Sequence, residues 1–235
     1  MKMLLTLLVF AMTVASYGAP KTVRVFVALC DNKTQGIAPV GEKIGNGDDP
    51  DANLYWGCTE GFGAYFRHSK RWKVIATEKD VSTTILRRVT LRHTEGDIDL
   101  VVEAYRGSQI RQCLLDFEAA ASSNSFDLVA YLGHNGLMDF DVPVPPKVEG
   151  NDTEVVVLCC LSETYFGSRL RALGCRPVLM TQQLMYPGSF LLHAAIEKWR
   201  SGGGSADLRA AAAAAYATNQ KISVRAAAGV FAPLD

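Results

Sequence analysis

Three apolar runs constrain this chain most: Val23-Arg-Val-Phe-Val-Ala-Leu-Cys30, Phe126-Asp-Leu-Val-Ala-Tyr-Leu-Gly133 and Glu154-Val-Val-Val-Leu158. A strand that is apolar on both faces has to be covered on both, as in a parallel sheet with helices above and below. The intervening segments have the matching character. Strands are expected at 72–76, 98–105 and 177–181. Helices are expected at 50–69, where Asp49-Pro50 reads as an N-cap followed by proline, and at 80–93, 108–121, 163–173 and 187–199. Pro143, Pro145 and Pro146 make 137–152 a loop, 201–205 is a Gly-rich break, and the Ala-rich stretch 206–228 is helical by propensity. Alternating strands and helices predict an α/β fold, a three-layer sandwich with a mostly parallel sheet and helices on both faces.

The chain has 235 residues and opens with Lys2, an apolar stretch from Met3 to Ala15 and small residues through Ala19. That order is expected of a signal peptide over residues 1–19, cut after Gly18 or Ala19, with a single domain over 20–235 exported to the periplasm or the extracellular space. No other long apolar run is present, so no membrane span is expected in the mature chain. With 24 Lys+Arg against 24 Asp+Glu, nothing basic points to nucleic acid. Export permits disulfides, yet Cys30, Cys58, Cys113 and Cys159 sit in apolar or helical contexts, so most of the six cysteines are expected as free thiols, and a strained Cys159–Cys160 bridge is the alternative for that pair. No Cys/His pairs stand at metal-ligand spacing, and neither a metal nor a cofactor is expected.

Two strand ends carry chemistry. The run 126–133 is followed by His134, and the run 154–158 by Cys159-Cys160. In an open α/β sheet, ligands bind at the carboxyl ends of the strands, so both residues fall on the active rim. Neighbouring residues of a strand face opposite sides, which sends Cys159 inward when Cys160 faces the rim. A thiolate is favoured at a helix N-terminus, and the predicted helix starts three residues after Cys160. His134 would serve as acid and base. Backbone N–H groups of Gly136 and Cys160 are the oxyanion donors to expect, with the N–H of Asn135 also available.

The segments Tyr131-Leu-Gly-His-Asn-Gly136 and Val157-Leu-Cys-Cys-Leu-Ser162 resemble the caspase-like cysteine peptidases, a group that includes caspases, legumain, gingipain, clostripain and the CHAT domains. There, an apolar strand ends in His-Gly and a later one in a small residue, the nucleophilic cysteine and, often, x-Ser-Gly. His134 takes the histidine's place, Cys160 the nucleophile's, Cys159 the small residue's and Ser162 the serine's. Asn135 and Glu163 stand where the family has glycine. The element order over about 98–200 is closest to CHAT-like members. The resemblance implies a caspase-like sandwich and a cysteine hydrolase acting on a peptide or protein substrate through an acyl-thioenzyme. The alternative is an inactive binding or scaffold protein of the same fold, in which the loops Leu184-Met185-Tyr186 and Met138 to Phe140 offer apolar contacts to a partner.

Asp31, Asp48, Thr181 and Gln182 are placed by the same pattern near the rim as a possible substrate pocket, whose acidic members would suit a Lys or Arg side chain. Asp49, Asp51, Asn53 and Glu60 copy the spacing of a calcium loop, but Leu54 occupies the place that needs glycine. His68 and His93 are expected at helix ends, and His193 within a helix.

Overall fold

The computed structural model describes residues 19–234; the expected leader falls, apart from Ala19, outside the described residues. The element order is β1 (Lys21–Ala28), α1 (Phe62–His68), β2 (Trp72–Lys79), β3 (Ile85–His93), β4 (Ile98–Tyr105), α2 (Ile110–Ser122), β5 (Leu128–Leu132), β6 (Glu154–Leu158), α3 (Ser162–Ala172), β7 (Arg176–Leu179), α4 (Ser189–Arg200), α5 (Ser205–Gln220) and α6 (Val224–Ala228). The seven strands form one sheet in the order β2-β3-β4-β1-β5-β6-β7. Every pairing from β4 to β7 is parallel, and the β2-β3-β4 meander is antiparallel.

Alternation along the strands feeds two cores. On one face Val23, Val25 and Val27 of β1 pack with Leu128, Ala130 and Leu132 of β5 under α1, α4 and α5. On the other, Phe26 and Ala28 pack with Val129, Tyr131, Val155 and Val157 under α2 and α3. The expected three-layer α/β sandwich is therefore present, and β1, paired on both sides, is its central strand. Among the described residues no helix is long and apolar enough to cross a membrane.

Three expectations change. Residues 80–93 are not a helix: Ile85–His93 is strand β3, with Val89, Leu91 and His93 buried and Arg88 and Arg92 turned out to Glu103 and Asp99. A bulge at Ile85 to Arg87 interrupts its alternation, so Ile85, Leu86 and Val89 mimic helical spacing in the sequence. His93 consequently ends a strand rather than a helix. It is buried, 3.3 Å from Asp97 and 3.3 Å from Glu197 of α4.

The helix expected over 50–69 shortens to Phe62–His68, and the preceding residues form tight turns. Asn53 is the reason. Its fully buried side chain accepts from Cys30 N (3.0 Å) and donates to Cys30 O (2.8 Å) and Asn46 O (3.0 Å), tying the segment to the end of β1. Gly57 permits the fold-back, because a Cβ there would lie 2.0 Å from Asp51 O. Asn53→Ala leaves the Cys30 peptide groups buried without partners and is expected to destabilise by about 2–4 kcal/mol, read as the shift of the urea midpoint.

The Ala-rich stretch is two helices, broken where Lys221 takes φ 55° and Ser223 caps α6 by accepting from Ala226 N. The calcium spacing gathers no site. Asp51 pairs with Arg87, Asp49 accepts from Asp51 N, and Glu60 accepts from Asn219 of α5. The six cysteines are free thiols.

Candidate active site

The strand order reverses at β1, which pairs β4 on one side and β5 on the other. Connections leaving such a point diverge to opposite faces and open a crevice beyond the carboxyl ends of the strands. A cavity of about 680 Å³ lies there. Its walls come from segments that follow β1 (Gly36, Ile37, Val40), β5 (Gly133, His134, Met138), β6 (Cys160) and β7 (Leu184 to Pro187), with Tyr216 and Gln220 of α5.

His134 is set by its turn. Gly133 has φ +146°, and a Cβ there would come 2.9 Å from Ala28 O. Glycine is thus required where the chain leaves β5 against β1. Tyr131 Oη donates to His134 O (2.6 Å), and the imidazole Nε2 lies 2.8 Å from Asp139 Oδ2. Asp139 Oδ2 also accepts from Gly36 N (2.9 Å), which fixes the carboxylate to the loop after β1. With Nε2 bound to a carboxylate, Nδ1 is the ring nitrogen left for chemistry.

Cys160 sits on a strained strand-to-helix turn. Leu161, the next residue, has φ 52° and ψ 35° and caps α3. A leucine in the left-handed region costs on the order of 1 kcal/mol and persists only where its surroundings hold it. Here they do. Ser162 Oγ donates to Val157 O (2.9 Å) and accepts from Thr181 N (2.8 Å), Ser162 N donates to Thr181 Oγ1, and Thr181 Oγ1 donates to Cys159 O. Cys159 is buried on the α2/α3 face, where burial and then the neighbouring Cys160 push its thiol well above the ordinary range. Cys160 is half-buried and lines the cavity, and its sulfur accepts from Met185 N (3.4 Å) and donates to Met185 O (3.5 Å).

Asn135 joins the two turns. It is fully buried, its Nδ2 donates to Cys160 O (2.7 Å), and its Oδ1 accepts from Leu137 N (3.1 Å). Asn135 is therefore a latch between the histidine and cysteine loops. Gly136 does not reach the cavity. It packs against Phe140, Leu114 and Ile110, any of which a Cβ would crowd.

The four expected pocket residues are not brought together there. Asp31 accepts from Lys33 N and Thr34 Oγ1, Asp48 pairs with Arg106, Thr181 is buried beneath the cysteine turn, and Gln182 donates to Gly229 O. Among the described residues no aspartate, glutamate, lysine or arginine lines the cavity, so the acidic pocket is replaced by a mostly apolar one. Asp139 escaped the sequence reading because nothing in a Pro-rich loop marks one carboxylate over another. Tyr216 did carry a signal, as the lone aromatic in an alanine helix. Among the described residues no group of three or more His, Cys, Asp or Glu is disposed to hold a metal.

Comparison with models of known families, with curated proteins and with solved structures found no match to this chain.

Proposed function

We propose that this protein is an exported cysteine hydrolase of the caspase-like type that cleaves peptides. The observation that carries the reading is that Cys160 and His134 end adjacent parallel strands and line one cavity, with the histidine's Nε2 held by Asp139. In the reaction, the Cys160 proton passes to His134 Nδ1 and Sγ bonds to the substrate's carbonyl carbon. The Cys160 N–H donates to the carbonyl oxygen as it gains charge. The C–N bond breaks as His134 protonates the leaving amine, which gives an acyl-thioenzyme. Water, deprotonated by His134, then adds to the acyl carbon; the C–S bond breaks, the acid departs and the thiol is restored. Asn135 holds the two loops in register through Cys160 O. A cut after Gly18 or Ala19 would leave β1, which opens at Lys21, intact.

Iodoacetamide at neutral pH tests the nucleophile. Cys160 is expected to alkylate faster than free cysteine while Cys159 stays unmodified. Labelling of Cys160 no faster than free cysteine, together with peptide hydrolysis that survives Cys160→Ala, rejects the reading. Asp139→Asn removes the charge that orients the imidazole and is expected to lower kcat by roughly 10²-fold with KM little changed, read from steady-state rates across pH.

The second reading, a binding protein on this fold, draws on the hydrogen bond in which the thiol gives its proton to Met185 O. A partner retained in stoichiometric amount by the Cys160→Ala form, with no hydrolysis by the parent, distinguishes it.

A further inference from the structure

Among the described residues, no Asp, Glu, Lys or Arg lines the cavity beside Cys160 and His134. Ile37, Val40, Leu54, Met138, Leu184 and Met185 are among its apolar lining residues, and beside Cys160 and His134 the polar side chains of its lining are the Tyr55, Tyr186 and Tyr216 hydroxyls and the Gln220 amide. One of those hydroxyls is engaged, since Tyr216 Oη accepts from Tyr186 N at 3.3 Å. Two of the apolar side chains stand open at the rim: Leu184 is 69% exposed, the most exposed large apolar residue described, and Met138 is 41% exposed. Apolar surface left uncovered beside a reactive thiol is surface that a substrate covers.

Resting on the hydrolase reading, we infer that the enzyme selects substrates with a bulky uncharged side chain, of the leucine, methionine or phenylalanine class, on the residue that donates the acyl group. A charged side chain resting on the apolar walls of this cavity, away from His134 and Asp139, would exchange water for surface that carries no Asp, Glu, Lys or Arg, a penalty of about tenfold or more in rate. The cavity also exceeds the volume of one side chain, so the residue before it can rest on Leu184 and Met138 at the rim.

The test uses the full chain and four peptidyl acyloxymethyl ketones on one scaffold, with leucine, phenylalanine, aspartate or arginine beside the reactive carbonyl. In each, the thiolate displaces the carboxylate from the methylene carbon and leaves a thioether on Cys160, seen by mass. The leucine and phenylalanine probes are expected to react at least ~10-fold faster than the other two. The Leu184→Glu variant, altered at an exposed position, is expected to slow the leucine probe and speed the arginine probe severalfold. Equal rates, or a faster aspartate or arginine probe, overturn the inference and leave the hydrolase reading standing. Failure of all four probes to modify Cys160 rejects both.

Discussion

Removing His134 and Cys160 together is expected to cost no more hydrolysis than removing Cys160 alone. If the thiol is the nucleophile, Cys160→Ala abolishes the covalent route and lowers kcat/KM by at least ~10³-fold. His134→Ala leaves a thiol without its acid and base, and its cost should be comparable, on the order of 10²–10⁴-fold. Residues that act as one unit are grossly non-additive, so the double variant should match the Cys160 variant to within a few-fold. The measurement is a cycle of four rate constants on one leucine-containing peptide. Losses that multiply would mean that the two residues act separately, and the dyad would have to be given up. Cys160 is only half-buried and stands beside a cavity, so the thermal midpoint of Cys160→Ala should stay within about 2 °C of the parent.

The largest effect on stability is expected far from that cavity. Glu118 of α2 has a fully buried side chain, and Arg169 of α3 meets it with two hydrogen bonds, Nε at 2.8 Å and an Nη at 2.7 Å. The same guanidinium reaches Pro143 O at 3.4 Å, so it also fastens the proline loop. A fork-to-fork pair of this kind is directional and largely desolvated. Arg169→Met removes one partner and strands the other, which is expected to cost about 3–5 kcal/mol. For a chain of this length that corresponds to a drop of roughly 10 °C in thermal midpoint. The double variant with Glu118→Leu is expected to recover most of the loss, because no buried charge then remains. A single variant as stable as the parent would show that the pair contributes nothing net.

The parts of the fold that were legible in the sequence are those whose signal is local and two-sided. β1, β5 and β6 are buried on both faces, so their apolar runs admit few alternatives, and the residues that follow β5 and β6, His134 and Cys160, are placed with them. β3 was not legible because it is one-sided and bulged: Arg87 and Arg88 break its alternation, and its strand character comes from the open edge of β4 beside it. The segment before α1 failed for a similar reason. Its apolar spacing is helical, but Asn53 spends its side chain on the backbone of a residue 23 positions away, which no window of neighbours can reveal. At the site, the strand-end pair could be read and its supports could not. Asn135 looked like a departure from glycine, and only the position of Cys160 O explains it. The apolar loops at Leu184 and Met138 were visible as such; that they face the same cavity as the thiol depends on the sheet order.

α5 supplies the last wall of the cavity, through Tyr216 and Gln220, and is anchored by the hydrogen bond between Asn219 and Glu60. In the order of synthesis, this helix is made after every strand of the sheet. A growing chain that has already paired β5 with β6 still lacks the surface that closes the far side of the crevice. A nascent or clipped chain that stops before α5 therefore carries the thiol and the imidazole without the wall that Tyr216 and Gln220 supply. In this sense α5 completes the cavity after both strand-end residues, His134 and Cys160, have been made.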